Sequence, residues 1–261
     1  MTDRPCAVAI MAKASAAGTV KTRLVPPLTY EEAAELNTCC LADVAANIMA
    51  AATQAPIQGF AAYYPLGSER FFDNLLPVGF KLLPPREPTI GRSLLHAARD
   101  LFGAGYSSVC LVNADSPTLP TEFLVETTRR LRGSGDRVVL GPAADGGYYL
   151  IGLKQFHQRL FEQIDWSTER VFRQTLARAR EIGIAVAPLP EWYDVDDEAT
   201  LAMLAREIGP RRSAASPYLN GYRAPSTTAF LEKLAAENGG IECLFGRAGP
   251  VPFPSPPTRE G

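Results

Sequence analysis

The chain of 261 residues is short of several things, and each shortage removes a class of function. It has five cysteines, Cys6, Cys39, Cys40, Cys110 and Cys243. The number is odd, two are adjacent and none form a C-x-x-C pair, which argues against a disulfide framework and a zinc site. A reducing, cytoplasmic setting is the expectation. Net charge is only −2, so there is no basic face for nucleic acid and no polybasic membrane signal. No apolar run approaches the ~20 residues of a membrane span. Met1 to Pro5 is polar and the apolar stretch Ala7–Ala12 is brief, so no secretory leader is expected. There are two histidines, His96 and His157, both on expected helices with no partner in view, and both read as structural or surface residues. No Gly-x-Gly-x-x-Gly follows the first strand, so a dehydrogenase is poorly supported.

The length suits one sizeable α/β domain with its own core, or one such domain with an appendage. Cys6–Ala12 reads as a first strand, apolar on both faces as in a parallel sheet covered by helices. A loop with a glycine and three cations follows, carrying Lys13, Gly18, Lys21, Thr22 and Arg23. Glycine lets a backbone approach a phosphate, and Lys with Arg neutralises it. The loop is not a P-loop, because Gly18 is not followed directly by Lys and Ser or Thr. A solvated basic loop is the plain alternative; its place after strand one favours a nucleotide site.

Thr29 and Glu32 form a capping-box pattern opening a helix to about Ala52, with Leu36, Cys40, Val44 and Ile48 on one stripe and Leu41 and Ala45 beside it. Strands are expected at 57–64, 80–83, 108–112, 137–140 and 184–189. Helices are expected at 68–76, 92–102, from Thr121 as cap to about Arg132, and from Glu169 to Arg180 with Ser167 or Thr168 as cap. Another spans Glu198 to about Ile208. The fourth strand ends at Val112 and delivers Asp115, and Pro117 and Pro120 prevent further ladder pairing. In open α/β sheets ligands gather beyond the carboxyl ends of strands, where a carboxylate can hold a divalent cation and the cation a diphosphate. Taken alone, Asp115 reads more readily as a cap of the following helix or turn than as a metal ligand.

Asp145-Gly146-Gly147 signals a turn into a further strand, plainly a hairpin. Functionally, the two glycines would clear space for a nucleotide or sugar while Asp145 meets a hydroxyl or serves as a base. Tyr148 and Trp166 are large aromatics that fill core or stack on a ligand. In an extended segment Asp194 and Asp196 point the same way, and two such carboxylates repel unless a cation or Lys lies between them. Asp197 reads as a helix cap. Eight of the 22 prolines lie between Pro210 and Pro257, marking residues 209–261 as a Pro-rich extension beyond a domain of residues 1–208. One helix, Ser226 to about Glu237, is expected within it, stopped by Gly239-Gly240, with disorder after about Arg247.

Five segments in order carry a resemblance: Met11-Ala12-Lys13 with Gly18-Thr19-Val20-Lys21-Thr22-Arg23-Leu24; Asn113-Ala114-Asp115-Ser116-Pro117; Gly141 to Leu153; Trp166-Ser167-Thr168; and Asp194-Val195-Asp196. Over about residues 6–208 the chain resembles a bacterial family labelled GT-A-type glycosyltransferases. Some of its members are placed with arsenosugar biosynthesis genes. The family is similar in fold to 2-phospho-lactate guanylyltransferase and the molybdenum-cofactor nucleotidyltransferases. The resemblance implies a nucleotide-diphospho-sugar transferase fold, Rossmann-like, with a mostly parallel sheet flanked by helices. It also implies that Lys21 and Arg23 meet donor phosphates and that Asp115, Asp194 and Asp196 hold Mg²⁺ or Mn²⁺. The chain departs from the pattern in having Asn113 where Gly is usual, in lacking prolines near Ser15 and Ala17, and in a shortened Thr89-Ile90-Gly91.

The function so implied is metal-dependent glycosyl transfer from a nucleotide-diphospho-sugar to a small-molecule acceptor. Lys21, Asp115 and Asp145 would be the catalytic residues, and Gly146 and Gly147 would join the loop in nucleotide binding. Nucleotidyl transfer from an NTP to a phosphorylated acceptor is the alternative, and a non-catalytic nucleotide-binding module the third.

Overall fold

The computed structural model describes residues 4–85, 89–209, 220–240, 243 and 245. Strand β1, Cys6–Lys13, is an interior strand of the sheet, and neither of its faces is polar: Ala7, Val8, Ala9 and Ile10 are essentially inaccessible. Helix α1, Tyr30–Ala52, opens on the capping box of Thr29 and Glu32, and its stripe of Leu36, Cys40, Val44 and Ile48 is buried. Then follow β2 (Ile57–Tyr64), α2 (Glu69–Leu75), β3 (Lys81–Leu83), α3 (Ile90–Gly103) and β4 (Ser108–Val112). Helix α4 (Thr121–Arg132), β5 (Arg137–Pro142), β6 (Tyr148–Leu153), α5 (Val171–Glu181), β7 (Ala185–Pro188), α6 (Glu198–Ile208) and α7 (Pro225–Glu237) complete the described elements.

The seven strands run in the order β3-β2-β1-β4-β6-β5-β7. All neighbours are parallel except the two pairs made by β6. The two-residue alternation of the strands divides the core. Val8, Ile10, Cys110 and Val112 face α1, α4, α6 and α7, whereas Ala7, Ala9, Val109 and Leu111 face α3 and α5. The chain leaves β1 toward the first face and returns to β4, on β1's other side, from the second. Loops at the carboxyl ends of β1 and β4 therefore diverge and leave a crevice between them.

The turn between β5 and β6, Ala143–Gly147, is far too short for the dozen or more residues a parallel crossover needs, so β6 returns antiparallel. Gly146, at φ +88°, makes that turn.

Three expectations need correction. Thr121 does not cap α4: Pro120 holds that position, and the Thr121 hydroxyl instead donates to Asn47 Oδ1 at 2.6 Å. Helix α5 starts at Val171 rather than Glu169, with Arg170 at the cap and no side-chain cap bond; Ser167 is in the left-handed region and Thr168 closes a local turn to the Asp165 carbonyl. His157 is not partnerless, since its Nε2 lies 2.6 Å from Asp136 Oδ2.

In the extension, α7 packs its Phe230, Leu231 and Leu234 into the same core as α1, as its apolar face requires. Its first turn is capped from outside. Ser226 N and Thr227 N donate to the fully buried carboxylate of Asp43, on α1, at 3.0 and 2.7 Å. The disorder expected after Arg247 falls outside the described residues. No helix among the described residues is long and apolar enough to cross a membrane.

Candidate active site

Four loops meet at the crevice: 13–24 after β1, 113–120 after β4, 143–147 between β5 and β6, and 189–197 after β7. Backbone and hydroxyl bonds join the second to the fourth. Val195 N donates to the Asp115 carbonyl at 2.8 Å, and Ser116 Oγ donates to the Tyr193 carbonyl at 2.9 Å. Behind them lies a buried polar spine. The Tyr193 hydroxyl and Thr118 Oγ1 both donate to Glu207, while Asn47 Nδ2 holds the Leu119 carbonyl at 2.6 Å. Tyr222 N, from the C-terminal extension, reaches the Thr118 carbonyl at 2.9 Å. The segment bearing Asp115 is thus fixed from three sides.

Lys21 turns inward. Its side chain is 2% exposed, and Nζ donates to Asp115 Oδ1 at 2.6 Å and to the Val195 carbonyl at 2.8 Å. Burial alone would lower its pKa, but Asp115, Cys40 and Asp196 outweigh burial and raise it, so the ammonium stays charged. The residue sits at φ 47°, leading into a 3-10 turn over Thr22–Leu24 that is anchored by the buried Leu24. Arg23 points the other way. It is largely exposed, and its Nη2 meets Asp196 Oδ2 at 2.5 Å.

Asp115 and Asp196 thus each have a cation, and Asp194 has none among the described residues. Burial first, then Asp145, Asp196 and Asp115, push Asp194 up to about 7. Asp196 is raised as well, because burial and Asp115 outweigh Lys21 and Arg23. Asp145 is exposed at the rim, where its Oδ1 accepts from Gly147 N at 2.8 Å and closes the turn.

The result is a cleft of about 580 Å³ lined by Arg23, Asp115, Asp145, Gly147, Asp194 and Asp196, together with Tyr148, Trp166 and Glu169. Tyr148 and Trp166 meet edge to face at 6.4 Å. Trp166 lies so close over Gly91, in the first turn of α3, that any β-carbon there would collide with the indole. A smaller cavity of about 170 Å³, bounded by Lys13, Tyr63, Ser93, His96 and Asp100, adjoins it; Met11 and Ile90 line both.

Of the residues expected in the site, six line the cleft. Lys21 lies beneath it, bonded to Asp115. Lys13 borders the smaller cavity and closes its own loop by donating to the Thr19 carbonyl at 2.7 Å. Gly18 and Thr22 are exposed on that loop and line neither cavity. Gly146 is explained within the chain: besides its φ, the Glu169 backbone packs where a β-carbon would stand. Glu169, Asn37 and Glu207 were not foreseen. Asn37 Nδ2 donates to the Lys13 carbonyl at 3.2 Å and to Ser15 Oγ at 2.9 Å, fixing the start of the cationic loop from α1.

In type, the carboxylates suit Mg²⁺ or Mn²⁺: oxygen donors only, with mutual repulsion that a divalent cation would relieve. In spacing they are not a ready-made cage, because no three His, Cys, Asp or Glu side chains among the described residues are grouped to hold one ion. Two of the carboxylates are instead held by Lys21 and Arg23.

Known proteins share this architecture. A family model described as an uncharacterized protein conserved in bacteria (DUF2064) matches residues 47–168. That stretch includes Asp115 and Asp145 and leaves out the cationic loop and Asp194/Asp196. No curated protein matches the chain. A solved structure from Desulfovibrio desulfuricans G20, provisionally described as a nucleotide-diphospho-sugar transferase, is similar at 27% identity, over 88% of this chain and 95% of that one, with a TM-score of 0.74. A cytidylyltransferase from Leptospira borgpetersenii serovar Hardjo-bovis is similar at 13% identity, over 95% and 100%, with a TM-score of 0.52. CMP:2-keto-3-deoxy-manno-octonic acid synthetase, solved with CTP, is similar at 11%, over 78% and 100%, with a TM-score of 0.50. The chain has the mixed α/β fold shared by nucleotide-diphospho-sugar transferases and nucleotidyltransferases.

Proposed function

We propose that the protein is a transferase of nucleotide-activated substrates, and that it moves a glycosyl group from a nucleotide-diphospho-sugar to a small-molecule acceptor. Membership of the arsenosugar-associated group is part of the same proposal. The observation that carries it is the convergence of Asp115, Asp194 and Asp196 at the carboxyl ends of the strands, beside a cationic loop, in one cleft. The 27% identical transferase-like relative, matched over nearly its whole length, supports the same reading.

Asp115, Asp194 and Asp196 would hold a divalent ion only on drawing closer together, and the ion would supply Lewis-acid neutralisation of diphosphate charge. The rest is work for the chain's own groups. Lys21 holds the Asp115 carboxylate and keeps positive charge under the cluster. Arg23, exposed on the adjacent turn, is free to swing from Asp196 to a phosphate oxygen. Asp145 stands at the rim as the base that accepts the acceptor's hydroxyl proton. Tyr148 and Trp166 offer a ring surface for a sugar or acceptor. Loss of one preorganised group such as Lys21 or Asp115 should cost ~10²–10³-fold in rate.

The test is thermal unfolding with Mg²⁺ or Mn²⁺ against nucleoside triphosphates and UDP-, GDP-, CDP- and dTDP-sugars, repeated with Asp194→Asn and Asp115→Asn. A ligand at 100 times its Kd stabilises by ~2.7 kcal/mol if it binds only the folded state. Metal-dependent protection by one nucleotide-sugar, lost in the variants, supports the proposal. Protection by a free triphosphate alone replaces glycosyl with nucleotidyl transfer. No protection by any nucleotide removes both transfer reactions and the non-catalytic nucleotide-binding module alike, and leaves an unrelated ligand.

A further inference from the structure

The cleft has a strong imbalance of charge. Its walls carry five carboxylates, Asp115, Asp145, Glu169, Asp194 and Asp196, against one cation, Arg23, among the described residues. Arg23 is already bonded to Asp196, and Lys21 to Asp115, so an anionic acceptor would have to compete with a carboxylate, and with the donor phosphates, for either cation. One divalent ion would offset part of this excess, and a bound nucleoside diphosphate would restore it. An acceptor that brings its own phosphate or carboxylate would enter a region of like charge, an arrangement that selective sites use to reject partners.

The same cleft is not merely acidic. Tyr148 and Trp166 form an aromatic corner, and Ile90, Leu94 and Val171 continue the apolar surface. Two independent features therefore point to one chemistry: a ring or apolar face against the aromatic corner, and neutral or cationic polar groups toward the acids.

We propose that the acceptor is a non-phosphorylated alcohol, neutral or cationic, with a ring or apolar face that lies against Tyr148 and Trp166. This rests on the transferase reading of the cleft and sharpens it, because the nucleotidyl-transfer alternative named above takes a phosphorylated acceptor.

The experiment uses the full chain with Mn²⁺ and the nucleotide that protects it. Three matched probes, 4-nitrophenyl glucoside, its 6-amino-6-deoxy analogue and its 6-phosphate, are titrated while unfolding temperature is followed. The neutral and amino probes should bind at least about tenfold more tightly than the phosphate, and Glu169→Lys should narrow that gap. Equal or tighter binding of the phosphate overturns the proposal, as does failure of both other probes to bind. A second measurement needs no nucleotide. The chain has two tryptophans, of which Trp192 is 5% exposed, so ionic quenching of emission reports chiefly on Trp166 in the cleft. Relative to free indole, caesium should quench more than iodide, with the ratio falling in Glu169→Lys. Iodide quenching equal to or above caesium also overturns the proposal. If no nucleotide binds but caesium is favoured, the reaction assigned to the cleft falls while its charge selectivity stands.

Discussion

Asp194 is the residue whose charge is least well compensated by its surroundings. Its folded-state pKa, raised to about 7, lies above the ordinary carboxylate value. From about pH 4 to about pH 7 the folded protein therefore holds a proton that the unfolded chain has released, so stability from this group falls as pH rises through that window. Above pH 7 the penalty is constant. Asp194→Asn should accordingly raise the melting temperature at pH 8, by at least the ~2–4 °C that 1 kcal/mol is worth in a chain of this size, and change it little at pH 4. Thermal unfolding at the two pH values, without divalent ion, checks the sign.

Lys21 gives the opposite case, a charge that is well matched but deeply held. Lys21→Met leaves Asp115 and Asp196 without its compensation and should cost about 2–3 kcal/mol, below the usual figure for a broken buried pair because Asp115 remains one third exposed. Combining it with Asp115→Asn should recover most of that loss, which a double-mutant cycle in denaturant would measure. The place of Lys21 on the loop beside the crevice could be read from its position after the first strand. Its inward turn could not, because the direction of a long flexible side chain is set by groups 94 and 174 residues away.

Among the elements, α1 is the one most fully foreseen, since capping box, span and apolar stripe are all local. Even there the sequence held a signal that went unused. Asn37, Asp43 and Asn47 fall among the buried residues of an otherwise apolar stripe, and such residues need partners. Each proves to hold a different segment: Asn37 the cationic loop, Asn47 the acidic loop, Asp43 the start of α7. Asp43→Ala should cost ~2 kcal/mol, since two backbone donors lose one buried acceptor. The loss should appear as faster amide exchange in α7 before global unfolding. Strand β6 was expected as a strand, but its place between β4 and β5 depends on non-local pairing that no single stretch encodes.

At the scale of the whole molecule, α7 is part of the sheet's first core layer rather than an ornament. A chain ended at Gly209 would uncover the α1 face that receives Phe230, Leu231 and Leu234, and would remove Tyr222 from the Thr118 carbonyl. It should melt well below the full chain and bind nucleotide more weakly, because the segment carrying Asp115 loses one of its supports. Unfolding and nucleotide titration of the truncated chain, side by side with the intact one, measure both effects. The family match ends at residue 168, so similarity to it informs the acidic loop and not this support.

The two cavities have Met11 and Ile90 in common in their linings. Rooms that share a wall cannot be furnished independently: a ligand that seats in the smaller one fixes side chains that the second ligand then meets. Turnover should therefore show compulsory order, with converging double-reciprocal lines and one product competing with only the first substrate to arrive, rather than the parallel lines of two substrates that alternate on a single covalent carrier.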